Sequence, residues 1–513
     1  MKRVISILGL AVSLGAAAQT YNHYTTTEGN EWQQSKASLS RKAAAEPVLS
    51  ITGQEQGHVF KAWGTCFNEL DLDALELLKQ EEQEEVMRRL FDPNGDLRFT
   101  RGRLTMNAND YSRAWYSCDT VAGDFQLKYF NIEHDKQNVI RLIKKAQKYQ
   151  PQMTFWVSPW SPPAWMKINQ EYCVASSQWN TQAKEKDYLL FSPTPSHMEE
   201  GSSYQDSTVD PDEMQFKDGK RGRLFPKRLA TQDYFIQDPR FLQAYANMFC
   251  KFIDLYAAED IPIDMVMYQN EAYSYTAYPG CAWTAEGTLR FNRDYLVPTM
   301  KRNHPEVEVN IGTLNTNRFG YVTKFIDGLV PPKSEGISAM GLQWEGRQII
   351  DSLRQRYPGL RFISSESECG NGQMDWRAGE HTFHLLADYI GRGCDEYFIW
   401  NFILCDNGQS PWGWKQNALI QVKSANRSHR YTPEFYAVKH FSHLVIPGSR
   451  MLGYVPREQT KGMPVIVFQR PDSRYVVIAG NQTDEQLTAT VRLGKKFLNM
   501  TLQPHSFHTY MAK

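Results

Sequence analysis

Two carboxylates stand where apolar runs give out. The run Ile263-Asp264-Met265-Val266-Met267-Tyr268-Gln269 leads into Asn270-Glu271, and residues 360–365 lead into Glu366. Two carboxyls facing each other across a cleft can split a glycosidic bond. One, kept protonated by burial or by a neighbouring negative charge, gives its proton to the leaving oxygen, while the other acts ionised. A Glu at one strand end also serves as a helix cap or an ion-pair partner, so the pair carries the argument and neither residue does alone.

Further groups gather at comparable places. Trp156-Val157-Ser158-Pro159-Trp160-Ser161-Pro162-Pro163-Ala164-Trp165 ends one apolar run and Gln343-Trp344-Glu345 another. Trp400-Asn401 ends a third, with Trp412 and Trp414 just beyond, and Arg103 is followed by Asn107, Asn109 and Asp110. Sugar rings bind through CH faces stacked on aromatics and through hydroxyls held by Asn, Asp and Arg, so this set suits a carbohydrate cleft. Any single Trp among them fits core packing equally well.

The elements that must position these groups alternate regularly. Apolar or β-branched runs occur near 60–67, 98–106, 153–158, 263–268, 307–313, 337–344, 360–365 and 395–401. Helical patterns lie between them at 73–90, 134–149, 239–258, 285–302, 321–329, 347–357 and 380–392, with a last one near 432–444. Asp238-Pro239 supplies an N-cap and a first-turn proline, after which Phe241, Tyr245, Met248, Phe249, Phe252, Ile253 and Tyr256 recur at helical spacing.

Eight such units predict an α/β fold, a (β/α)8 TIM barrel over residues 60–446, whose strand C-terminal ends carry the chemistry. No GxGxxG follows the first strand, which disfavours a doubly wound open sheet. Short alternating runs over 447–513 predict a small antiparallel β-sandwich, which the strand within 46–59 is expected to join. The polar insertion 169–235 follows the third strand and so falls on the active-site face, as a lid or cleft wall. Residues 19–45, polar and rich in Ala, Ser and Gln, read as a mobile leader.

Lys2 and Arg3 precede an apolar run to about Leu14 and then Gly15-Ala16-Ala17-Ala18. This is the layout of a signal peptide over residues 1–18, with a secreted or periplasmic product. The run is shorter than the ~20 apolar residues of a membrane span, and no later stretch approaches that length. The 57 basic residues balance 57 acidic ones, and cleavage after Ala18 leaves 55 against 57, a formal −2. That balance excludes a polyanion binder, so no nucleic-acid partner is expected. Eight cysteines without a CxxC pair give neither a zinc ribbon nor a disulfide scaffold, although one or two bridges are compatible with export. His381 and His384 beside Glu380 lack the HExxH pattern and read as an exposed helical face. No metal and no cofactor is expected.

These segments also carry a resemblance. From about Trp63 onward the chain resembles glycoside hydrolase family 30, the glucosylceramidase family. The matching phrases, in the family's order, are Arg103 with Met106 to Ser112, Ser158 to Lys167, Gln269-Asn270-Glu271, Ser365-Glu366 and Trp400-Asn401. Asp124 to Leu127 and Phe435 to His440 look like further family segments. The resemblance implies a retaining β-glycosidase with Glu271 as general acid/base, Glu366 as nucleophile and Asn270 on the sugar 2-hydroxyl. It implies that Arg103, Asp110, Trp160 and Trp400 line the cleaved sugar's subsite, and Trp344 joins them as a substrate-binding residue at the sixth strand end. The chain departs from the pattern at Trp63 to Glu69, where the Gly-rich turn is reduced to Gly64, and at Ala272, where a Pro is common. It departs again at Gln343-Trp344-Glu345, where many relatives have His-Trp-Tyr.

The resulting expectation is an exported enzyme cleaving a β-linked glucan or glucoside, of the β-1,6-glucanase or glucosylceramidase type. Its partner would be a carbohydrate. The alternatives are a relative acting on β-xylosides or galactans, and a non-catalytic carbohydrate-binding protein of the same fold.

Overall fold

The computed structural model describes residues 20–176, 189–190, 233–274, 276, 278–331 and 336–513. Eight parallel strands close into a barrel: Ala62–Cys66, Arg101–Leu104, Thr154–Val157, Ile263–Met267, Glu308–Leu314, Ala339–Gln343, Arg361–Glu366 and Cys394–Ile399. The eighth returns to the first with Glu396 beside Ala62 and Ile399 beside Thr65. Helices cover the outside and side chains fill the inside, so the first, sixth and eighth strands are buried throughout. Trp156, Met265, Met267, Ala339, Ile363 and Phe398 pack the interior. A Cβ on Gly64 would stand 2.3 Å from the Phe398 ring, so the missing side chain makes room for that ring.

The end of the barrel away from the strand C-termini is closed by charge. Glu396, fully buried, accepts from Arg101 Nη1 at 2.8 and 2.7 Å and from Arg361 Nη2 at 2.9 Å. Arg101 also pairs with Asp264, and Arg361 Nε with Asp395 at 2.8 Å. Each charge taken out of water therefore has a partner.

Two long helical patterns are broken. Residues 73–90 give Glu69–Glu76 and Gln80–Phe91, because Glu82 reaches back to the Lys79 N–H at 3.0 Å and starts a new helix. The pattern over 134–149 breaks at Asn138, whose φ of −127° and ψ of −101° are not helical. Pro239–Ala257 begins as its sequence indicates, with the Asp238 carboxylate accepting from the Arg240 N–H at 2.8 Å.

The leader expected over 19–45 is not one. Thr20–Thr27 and Asn30–Ser38 form a hairpin that adds antiparallel to Ser506–Ala512. It extends a six-stranded sheet that continues through Tyr475–Asn481, Val465–Gln469 and Arg450–Val455. The segment reads as polar because its outer strand is an edge facing solvent, and backbone pairing with the far end of the chain holds it. Leu49–Ile51 pairs parallel with Leu487–Leu493, which pairs in turn with Lys496–Leu502 to form the second sheet. Tyr21, Ile51, Val467, Val477, Val491 and Leu498 belong to the core between the two. Phe507 stacks on Trp376 and Phe383 at centroid distances of 5.0 and 4.6 Å, which fastens the sandwich to the barrel.

All eight cysteines are free thiols, seven of them buried. His384 is buried in its helix, so the exposed face expected there is confined to His381. Among the described residues no helix is long and apolar enough to cross a membrane, and no group of three His, Cys, Asp or Glu could hold a metal. The segment read as a signal peptide and most of the insertion 169–235 lie outside the described residues.

Candidate active site

Glu271 follows the fourth strand and Glu366 ends the seventh, so their backbones rise from opposite sides of the barrel mouth. Beside Glu366 and Asn270 stands Arg103, from the second strand, with no exposed surface. Its Nη1 donates to Glu366 Oε2 at 2.8 Å and to the Ser365 carbonyl at 3.0 Å. Its Nη2 donates to Asn270 Oδ1 at 2.8 Å and to Ser158 Oγ at 3.2 Å. One planar guanidinium thus ties four strand ends together. The rings of Trp160 and Trp400 stack at 4.7 Å and 22°, and the guanidinium lies 4.5 and 5.2 Å from their centroids.

The two glutamates have different partners. Glu366 accepts from Arg103, from Trp344 Nε1 at 3.3 Å and from the Cys369 thiol at 3.7 Å. Among the described residues, Glu271 accepts from two neutral groups, Gln343 Nε2 at 3.0 Å and the Tyr278 hydroxyl at 3.1 Å. Burial raises both carboxyls above their ordinary range, and the charge of Glu366 raises Glu271 further. The Arg103 charge opposes that rise, as the leading counter-effect at Glu366 and a minor one at Glu271, which favours ionisation of Glu366 before Glu271.

Asn270 is oriented by its acceptor side. Its Oδ1 takes hydrogen bonds from Arg103, from Thr313 Oγ1 at 2.6 Å and from Gln343 Nε2 at 3.2 Å. The amide NH2 is then the group it can offer a ligand hydroxyl. Asp110 is buried, and its Oδ1 has no hydrogen-bond partner among the described residues; Trp400 Nε1 is in the same condition. Burial, and then the charges of Glu366 and Glu271, push Asp110 well above the ordinary carboxylate range. An acceptor and a donor left open beside two stacked indoles suit the hydroxyls and CH face of a sugar. Backbone strain marks the same place: Glu271, Trp344 and Asn107 have φ of 49°, 48° and 69°.

The structure brings together the eight residues given catalytic or substrate-binding roles above: Arg103, Asp110, Trp160, Asn270, Glu271, Trp344, Glu366 and Trp400. Trp165 stands outside, packed on Phe125 and Phe241 with its Nε1 on the Asp119 carbonyl. Tyr278, Cys369 and Thr313 were missed. Tyr278 lies in a loop without periodicity, and nothing local marks a thiol or hydroxyl that acts through a distant carboxylate. Gln343, noted as a departure at the sixth strand end, bridges Glu271, Asn270 and Ser365.

Comparison with known proteins agrees with this geometry. The glycosyl hydrolase family 30 TIM-barrel domain matches residues 60–188, and the family's beta sandwich domain matches residues 448–510. Putative glucosylceramidase 3 of Caenorhabditis elegans is 24% identical over 93% of this chain and 84% of its own. Lysosomal acid glucosylceramidase of Mus musculus is 22% identical over 96% of this chain and 89% of its own. Among solved structures, the endo-beta1,6-glucanase BT3312 superposes with a TM-score of 0.72 at 18% identity, covering 96% of this chain and 99% of that one. Two stretches of the chain thus match glycosyl hydrolase family 30 domains in the family's order, the chain is glucosylceramidase-like, and it is a glycoside hydrolase.

Proposed function

We propose that this protein is an exported, retaining β-glycoside hydrolase that cleaves a β-linked glucan or glucoside by double displacement. The observation that carries the reading is the unequal setting of the two carboxyls among the described residues: a guanidinium on Glu366, neutral donors on Glu271. Ionised Glu366 attacks the anomeric carbon as Glu271 protonates the departing glycosidic oxygen, which leaves a glycosyl ester on Glu366. Glu271, now a carboxylate, takes a proton from water; the water oxygen attacks the same carbon and Glu366 departs. Trp160, Trp400 and Asp110 hold the sugar, and the Asn270 amide donates to its 2-hydroxyl. Relatives named as glucosylceramidases and endo-1,6-beta-D-glucanases support glucose as the sugar cleaved. The basic start, short apolar run and small residues before Gln19 support export.

A panel of aryl β-glucosides, β-1,6-glucan, β-xylosides and glucosylceramide tests this with wild type, Glu366→Ala and Glu271→Ala. Wild type should release β-glucose first, as read by proton NMR. Glu366→Ala should be inactive, and Glu271→Ala should regain turnover of activated aryl glucosides with azide. An α-anomer as first product, or full activity in Glu366→Ala, overturns the mechanism. Failure on every glycan makes the protein a binding module. Intact mass of the secreted product should show a chain beginning at Gln19.

A further inference from the structure

The acid/base glutamate stands beside the leaving half of the substrate, so what surrounds it selects the leaving group. Tyr278 donates its hydroxyl to Glu271, and its ring packs against Trp414 at a centroid distance of 6.1 Å. Both are half-buried. Trp414 shares one apolar cluster with Trp160 and Trp400, and Tyr278 shares a second with Trp115, Tyr172 and Trp412. The rings thus continue outward from the buried pair under Arg103, past Glu271, to half-buried Trp115, which stacks on Tyr172 at 5.0 Å and 17°.

This wall is held from behind. Lys167, fully buried, donates its ammonium to the carbonyls of Gly280 at 2.6 Å and Cys173 at 3.1 Å. Backbone bonds from Gly280 N to the Tyr172 carbonyl at 2.9 Å and from Val174 N to the Thr276 carbonyl at 3.0 Å join the same two loops. The loop carrying Tyr172 is therefore fixed to the one carrying Tyr278. A rigid aromatic surface costs little ordering on binding, which favours a stacked ring over a flexible chain.

We propose that Tyr278, Trp414 and Trp115 form a leaving-group subsite that stacks a sugar ring, so that the leaving group is a further glycosyl residue rather than a lipid. The inference rests on Glu271 as the acid/base. A two-chain lipid would need a broad exposed aliphatic patch. Among the described residues the large apolar side chains left exposed are Val59, Val121, Tyr129 and Ile168, of which three are aliphatic.

Two substrates sharing the cleaved sugar separate this subsite from the rest of the site: β-glucosyl fluoride, whose leaving group is one atom, and β-1,6-linked glucotriose. Trp414→Ala should lower kcat/KM on the trisaccharide at least tenfold more than on the fluoride, and Trp414→Phe should recover most of the difference. Trp115→Ala should act in the same direction with a smaller ratio. Equal losses on both substrates, or glucosylceramide turned over faster than the trisaccharide by wild type, overturn the subsite. Turnover of the fluoride also reports that each variant is folded. A wild type inactive on the fluoride would instead sink the reading of Glu271 and Glu366.

Discussion

Arg103 Nη1 lies 2.8 Å from Glu366 Oε2 inside a site that leaves the arginine no contact with solvent. Removing the guanidinium should raise the Glu366 pKa further, because the Trp344 and Cys369 hydrogen bonds then oppose burial without the help of that charge. In Arg103→Met the acid limb of the kcat/KM profile should move to higher pH, with at least a ~100-fold loss at neutral pH, about 2.7 kcal/mol of transition-state stabilisation. Arg103→Lys keeps the charge but loses the fork that also holds Asn270, so its acid limb should stay near wild type while kcat falls. An acid limb unmoved in Arg103→Met would contradict the pairing.

Under the proposed mechanism the alkaline limb belongs to Glu271, which would work as an acid only while protonated. Burial and then Glu366 raise its pKa, so activity should persist above the range of an ordinary carboxyl and fall as the pH rises through the shifted value. The Tyr278 hydroxyl favours the ionised form. Tyr278→Phe should therefore push that limb to still higher pH, and a shift downward would refute the hydrogen bond's role.

At the opposite end of the barrel, Glu396→Ala would leave Arg101 and Arg361 without their shared buried anion. Breaking such a pair costs about 3–5 kcal/mol, to be read from urea denaturation. Turnover per folded molecule should hold, since Glu396 is at the strand N-terminal end.

The hairpin makes the sandwich sensitive to acid. His23 Nε2 meets His508 Nδ1 at 2.9 Å, and His440 bridges Thr26 and Thr509 at 2.9 and 2.8 Å. Burial lowers His23 to about 4 and His508 to about 3, and holds His440 well below its usual range. These histidines stay neutral when folded, whereas unfolded they take protons below about pH 6.5. Stability should be complete above that pH and decline as the pH falls toward the folded values, so Tm at pH 5 should lie below Tm at pH 7. Deleting residues 20–38 should lower Tm at neutral pH and flatten this decline. A truncated chain as stable as the full one would show that the hairpin contributes nothing.

Much of this is legible in the sequence alone. Apolar runs alternating with helical patterns locate all eight barrel strands, and Glu271, Glu366 and the Trp clusters stand at the ends of those runs. The N-terminal hairpin was not legible, because an edge strand needs few apolar residues and its partner, Ser506–Ala512, lies at the other end of the chain.

The sequence by itself determined the barrel, the two carboxyls and the aromatic groups around them, because strand periodicity and residue chemistry are local. Only the tertiary structure decided how the carboxyls differ. Arg103 sits 263 residues from Glu366 in the chain yet within hydrogen-bond reach, while Glu271 takes neutral donors from Gln343 and Tyr278. A pKa depends on burial and on charges close in space, and neither distance nor burial is written along the chain.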